Sequence, residues 1–341
     1  MSDRAKWFVV ALASVVLLGV AAGVGVAGWY QYQARGSASS AIETAPPEDW
    51  ATGDRVVFRN TAMGEGYGQV ASVPLDDPGG PRAVIAQACD RVAAADGRFV
   101  CLRSERGIVP RYTATLLDDD GHEVESWPLA GIPSRARISP DGTLIATTAF
   151  VTGHSYATAG FSTETIVHTT DGRDFGNLED YTLIVDGEVV APVDRNYWGV
   201  TFVDDTTFYA TAGLTTTGTT YLVRGDLKAR TLTAIAEDVE CPSLSPDGSR
   251  VAFKRVTSGS GPTVHWTPAI LDLADGSVRI LDAETRNVDD QIAWLDDDTI
   301  LYGLPRDAVA GDTDVWSLAA DGSGPPDLFI AHAWSPSVVR G

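Results

Sequence analysis

Beyond Tyr30 the chain alternates short apolar runs with turn-forming clusters and sustains no helical period. Ile138–Ser139–Pro140–Asp141–Gly142–Thr143–Leu144–Ile145–Ala146 predicts a strand, a tight turn and a second strand. Leu244 to Phe253 repeats the unit around Asp247–Gly248. Asp-Gly suits such a turn because both residues tolerate positive φ, which matches the twist of paired strands. Degenerate copies surround Asp96–Gly97, Asp204–Asp205 and Asp296–Asp297–Asp298, and a weaker one runs from Trp50 to Phe58. Second halves follow as strand, Asp-Gly, strand across Asp120–Gly121, Asp275–Gly276 and Asp321–Gly322.

The turn aspartates Asp54, Asp96, Asp141, Asp205, Asp247 and Asp297 recur roughly every 40–50 residues, with one longer step of roughly 64. That period, with four strands per unit, predicts an all-β, six-bladed β-propeller; seven blades is the alternative count. A ring must close to remove its sheet edges. Ala333 to Val339 reads as the first half of a unit whose second half is missing, so it should complete the blade begun near Trp50.

One segment differs from this pattern. Trp7 to Gly28 is apolar and uncharged, and a helix of that length reaches about 33 Å, enough to cross a bilayer. Arg4 and Lys6 precede it, which predicts a cytoplasmic N-terminus and an exported remainder. The expected organisation is a cytoplasmic tip (1–6), a transmembrane helix or uncleaved signal anchor (7–30), a linker (31–49) and the propeller (50–341). A cleaved signal peptide, giving a secreted domain, is the alternative; no Cys follows the run closely, so a lipoprotein anchor is excluded. The Gly-, Ser- and Pro-containing linker would reach ~25 Å as a flexible coil.

The formal net charge is −21, although the first residues are net basic. So acidic a surface argues against nucleic acid and against peripheral adhesion to anionic lipid. An exported domain can hold a disulfide, and Cys89 and Cys101 flank one expected hairpin, leaving Cys241 as an odd thiol.

Together, the Ser-Pro-Asp-Gly units and their following hairpins resemble the repeats of TolB-type six-bladed propellers. Tyr197–Trp198–Gly199–Val200–Thr201–Phe202, Leu222 to Leu227 and Val239 to Gly248 are similar to actinobacterial membrane-anchored TolB-like translocation proteins. The resemblance runs from about Trp50 to the C-terminus. It implies the propeller fold and a role in translocation or envelope maintenance through bound partners. Unlike TolB, this chain has no separate N-terminal α/β domain and carries an apolar segment instead.

Candidate chemistry is sparse. The aspartate runs lack the alternating ligands and spaced Glu of a Ca²⁺ loop and sit at expected hairpin tips, where Asp stabilises the turn. His122, His154, His168, His265 and His332 form no local metal motif. Gly153–His154–Ser155–Tyr156–Ala157 only superficially matches a nucleophile elbow, and no hydrolase domain fits after the last unit. Cys241 has acidic sequence neighbours, which predicts a packed thiol. The long step holds a loop, Gly153 to Phe161, and an extra hairpin at Asp186–Gly187. Insertions in one blade cluster on a face, so Tyr156, Phe161, Arg195, Tyr197 and Trp198 are the expected binding residues. The sequence thus predicts a non-enzymatic extracytoplasmic scaffold on the cytoplasmic membrane, binding envelope proteins or a peptide or glycan, with no cofactor and no metal. The alternative is a lyase or hydrolase using cross-blade carboxylates and a metal in the central funnel.

Overall fold

The computed structural model describes residues 3–37, 42–95, 97–151, 162–307 and 309–341. One unit is built on an N-terminal helix and the other is strand-rich from Ile42 onward. Helix α1 spans Asp3–Ser37, and its part from Asp3 to Tyr30 is long and apolar enough to cross a membrane. The helix outlasts the apolar run because Gln31 to Arg35 contains good helix formers and no breaker before Gly36. The first residues of the expected linker are therefore helical, and Thr44–Ala45 within it is a strand.

The strand-rich unit is a six-bladed propeller. Blade 1 contains β1 (Thr44–Ala45), β2 (Arg55–Asn60), β3 (Gln69–Pro74) and β4 (Arg82–Ala88). Blade 2 contains β5 (Arg91–Ala95), β6 (Arg98–Glu105), β7 (Arg111–Asp118) and β8 (Glu123–Pro128). Blade 3 contains β9 (Ile132–Ile138), β10 (Leu144–Val151), β11 (Ser162–Thr169) and β12 (Asp174–Asn177). A hairpin of β13 (Thr182–Val185) and β14 (Glu188–Val190) precedes blade 4. That blade continues with β15 (Arg195–Phe202), β16 (Thr207–Leu214), β17 (Thr219–Asp226) and β18 (Thr231–Glu237). Blade 5 contains β19 (Glu240–Leu244), β20 (Arg250–Ser258), β21 (His265–Asp272) and β22 (Val278–Ile280). Blade 6 contains β23 (Ala293–Trp294), β24 (Thr299–Pro305), β25 (Thr313–Ala319) and β26 (Asp327–Ile330).

The last strand, β27 (Ala333–Val339), pairs with β2 and becomes the innermost strand of blade 1. Residues 50–54 therefore form a turn rather than an inner strand, because the C-terminus supplies that strand. Strand β1 pairs with β4 at the outer edge, so the propeller begins before Trp50. Six apolar clusters hold the blades, each spanning two neighbours around the ring. One cluster joins Val56 and Phe58 of blade 1 to Leu301 and Val315 of blade 6, across the closure.

Ser139 and Ser245 fall on equivalent positions, at the turn from innermost to second strand. Each Ser carbonyl accepts the N–H of the Gly three residues on, Gly142 at 2.8 Å and Gly248 at 2.9 Å. Only the Gly of each unit has positive φ, +69° and +72°. The turn is thus a four-residue one with Pro second and Gly last, not the two-residue turn with two positive φ values. Its Asp acts through its carboxylate: Asp247 accepts from the Ser245 hydroxyl at 2.6 Å and from Ser249 N at 2.9 Å. Those donors hold the Asp247 carboxyl at about 2. The two-residue turn does occur at Asp186–Gly187, where φ is +52° and +80°.

Cys89 and Cys101 form a disulfide. Cys89 lies in the link between β4 and β5 rather than in a strand, so the bond ties blade 1 to β6 of blade 2. Closing a loop of this length, with a sequence separation of 12, stabilises a fold by about 2–4 kcal/mol. The C89A/C101A double variant is therefore expected to lower unfolding stability by about that amount, read as a fall in urea midpoint at unchanged slope. An unchanged midpoint would deny the bond any stabilising role.

Candidate functional site

Innermost strands of a propeller surround its axis, so side chains far apart in sequence meet there. Here three arginines meet, with acids beside two of them. Arg91 comes from β5, and Arg135 and Arg137 lie two apart on β9, leaving the same face of that strand. With Asp290, Gln291 and Ser335 to Ser337 they line a small axial cavity of about 20 Å³. A wide cup of about 740 Å³ lies at the other end of the innermost strands. It is lined by the turn residues Ser245 to Gly248, Leu295 to Asp297, and Arg340. Arg137 and Ser337 line both spaces and mark the junction.

The cations differ in how they are neutralised. Arg91 Nη1 lies 2.9 Å from Asp290 Oδ1, and its guanidinium sits 4.7 Å from the Trp334 ring centre. Asp290 Oδ2 also accepts Gly303 N at 3.2 Å. Lys254 is buried, bonded to Asp289, 3.8 Å from Glu240, and stacked 4.1 Å from the Trp266 ring centre. Burial works against ionisation of Asp289, yet Lys254, Arg135 and Arg91 hold its carboxyl below the usual range. Arg135 reaches Asp289 at 3.7 Å.

Arg137 is the exception. Its guanidinium donates to Ser243 Oγ at 3.3 Å and to the Ile292 carbonyl at 3.2 Å, both neutral. It forms no ion pair among the described residues, and its Nε is buried without a hydrogen-bond partner there. Burial pulls its pKa down to about 10, only partly opposed by Asp290. Arg91 is likewise lowered, by burial and then by the charge of Arg135. Arg91 keeps its ion pair with Asp290, whereas Arg137 has no carboxylate in contact, in a chain whose net charge is −21. A small oxyanion would supply Arg137 with that negative charge.

No protein-family model matches the chain, and no curated protein does. TolB from Acinetobacter baumannii, a solved structure, is similar over 84% of this chain and 67% of its own, at 17% identity and a TM-score of 0.54. The fold is TolB-like. A putative TolB from Agrobacterium tumefaciens is similar at 12% identity and a TM-score of 0.47, over 83% of this chain and 90% of its own. So is oligogalacturonate lyase from Vibrio parahaemolyticus, at 10% and 0.44, over 74% and 71%.

In this TolB-like propeller the residues singled out from sequence behave unequally. Tyr156, Phe161 and Asp96 lie outside the described residues. Tyr197 and Trp198 are only 1% and 8% exposed, because β15 is an innermost strand packed on both faces. Both therefore belong to the core and do not form an open aromatic patch. Arg195 donates to the carbonyls of Pro192 and Glu179, each at 2.7 Å, and so anchors its own loop. The extra hairpin adds two outer strands to blade 4 instead of building up a face.

The aspartate runs cap turns: Asp204 accepts from the Thr206 and Thr207 N–H groups, and Asp296 from Asp298 N. Asp118, Asp120 and His122 converge at one such turn, where Asp118 also accepts His122 N at 2.8 Å. Cys241 is buried on β19, and the positive charge its sequence neighbours lack comes from other strands: Arg135, Arg137 and Lys254 lie within electrostatic range. None of the funnel arginines was legible as a site beforehand. The available signal was the alternation Ser134–Arg135–Ala136–Arg137–Ile138, charges recurring every second residue in a strand that leads into a Ser-Pro-Asp-Gly turn.

Proposed function

We propose that this chain is a membrane-tethered, extracytoplasmic binding propeller whose funnel receives an anionic group of an envelope partner, a carboxylate or phosphate on a peptide or glycan. The TolB-like fold and the N-terminal apolar helix support the scaffold and the tether. The observation that carries the ligand chemistry is Arg137, a half-buried cation whose hydrogen-bond partners are neutral, at the junction of cup and axial cavity. An extended segment entering the cup would meet an acidic rim at Asp247 and Asp297 and a basic floor at Arg137. That arrangement favours a ligand with its anionic end inward.

The test uses the full chain in neutral detergent with inorganic phosphate as probe, at constant ionic strength against chloride. Ligand held at about ten times its Kd should raise the unfolding midpoint by about 2–3 °C. Arg137→Gln should lose that response. Without phosphate it should unfold no earlier than the parent, because it removes a half-buried charge with no carboxylate in contact. An equal phosphate response in both proteins would overturn the assignment. Protease accessibility of the propeller in intact spheroplasts tests the location, and protection there would place it in the cytoplasm.

A further inference from the structure

We infer that the tip of the β6–β7 hairpin docks on an anionic lipid bilayer. Gly107–Ile108–Val109–Pro110 forms this tip, and Ile108 and Val109 are 107% and 76% exposed. No other apolar side chain described in the propeller is as open as Ile108. Arg103, Arg106 and Arg111 bracket the tip, all exposed, against two acids, Glu105 and Asp90, whose carboxylate accepts Ser104 N at 2.7 Å. Among the described residues none of these three arginines has a side-chain hydrogen bond or ion pair. Half-buried Tyr112 sits one residue further, paired with Ser104. Apolar side chains at the end, free cations behind them and a tyrosine below follow the order of a bilayer surface: acyl boundary, phosphates, interface.

The distribution of charge on the propeller sets the orientation. Strand β5 runs from Arg91 to Ala95, and Ala95 lines the cup. Strand β6 returns antiparallel, pairing Arg98 with Ala95 and Leu102 with Arg91, so Glu105 and the tip leave from the end opposite the cup. Asp118 pairs back to Arg98, Asp272 to Arg250 and Ala319 to Thr299, which puts the Asp-rich outer turns at the cup end. Asp141, Asp204, Asp247 and Asp297 sit at the inner turns of that same end. The acidic end faces away from a negatively charged bilayer and the arginine-flanked apolar tip faces it. The chain supplies its own bilayer through helix α1, so a weak contact suffices at the effective concentration that a tether gives. Docked this way, the propeller presents the cup to the aqueous side, open to a partner.

The overall charge of −21 argues against peripheral adhesion, but adhesion depends on the local patch within a Debye length, about 8–10 Å, and not on the sum. The experiment uses the full chain in nanodiscs with an environment-sensitive fluorophore at Val109→Cys, and at Ser323→Cys, an exposed cup-end turn, as reference. Cys241 is buried and Cys89 and Cys101 are bonded, so each variant offers one reactive thiol. In phosphatidylglycerol-containing discs the Val109 probe should shift to the blue and be quenched by brominated acyl chains, while the Ser323 probe is not. Arg106→Gln with Arg111→Gln should cut the quenched fraction severalfold, roughly fivefold per arginine removed in the docking equilibrium. A Val109 probe that reads water in anionic discs would overturn the inference. So would one that is shielded only after a soluble protein partner is added, which would make the tip a protein interface.

Discussion

Deletion of residues 333–341 is expected to leave a propeller with no cooperative unfolding transition at ambient temperature. These residues form β27, which contributes to two of the six inter-blade cores. Ala333 packs with Val56, Phe58 and Leu301 toward blade 6, and Val339 with Val57, Val92 and Phe99 toward blade 2. The ladder to β2 runs from Arg55–Val339 to Asn60–Ala333. Side chains add cross-blade links: Ser335 Oγ donates to the Val92 carbonyl at 2.8 Å, and the Thr313 hydroxyl to the Ala333 carbonyl at 2.8 Å. Each buried valine contributes about 1.5–3 kcal/mol and each hydrogen bond about 1 kcal/mol net. Their sum reaches the whole stability of an ordinary domain, about 5–15 kcal/mol. Removal also bares the edge of β2. Circular dichroism and urea titration of the truncated chain check this. A midpoint like that of the parent would mean that blade 1 stands without its inner strand.

Gly199→Ala is expected to destabilise the propeller by about 4 kcal/mol or more. Gly199 has φ +67°, where a side chain costs about 1–2 kcal/mol. An added Cβ would lie 2.6 Å from Cys241 Cα, so the larger cost is the clash between β15 and the backbone of β19. The inner strands of blades 4 and 5 would have to separate, opening the packing around Val200 and Cys241. Gly79→Ala is the comparison: nothing lies within 4 Å of its Cβ and its φ is not in the left-handed region. There the same chemical change should be neutral or stabilise slightly, by about 0.4–1 kcal/mol. Equal effects at the two sites, measured by urea denaturation, would remove the close approach of the strands as the cause.

Fold legibility followed the range of the interactions involved. The Ser139 and Ser245 turns could be placed because their Ser, Asp and Gly bond to one another within about one turn of chain, so local chemistry suffices. The turn type is not settled by Asp and Gly alone, whose spacing fits two geometries; Pro140 and Pro246, at the second turn position, select the four-residue turn. Closure by Ala333–Val339 was legible because a lone half-unit needs a partner and Trp50 to Phe58 lacked one. The disulfide residues were found, but the element holding Cys89 was not. It follows β4 directly, and only the ring places that link beside β6.

Site legibility was poorer. Tyr197 and Trp198 beside Arg195 have the composition of an exposed anchor, yet a propeller blade is packed on both faces and its inner strand is the most enclosed. Arg91 and Asp290 pair at 2.9 Å across 199 positions of sequence. In one dimension both are ordinary charges of the kind usually found in solvent.

What the amino-acid order determined unaided was the apolar N-terminal segment, the repeating strands, the places of the turns between them and a count of six or seven blades. Those features rest on periodicity and on hydrogen bonds between near neighbours. Only the tertiary structure decided which charges share the axis, which aromatics are enclosed and which end of the propeller is acidic. Ring closure brings distant strands together, and burial then changes what a side chain does. Arg137 and Arg106 have the same chemistry, but one lies in a low-dielectric funnel without a counter-ion and the other at an open hairpin tip.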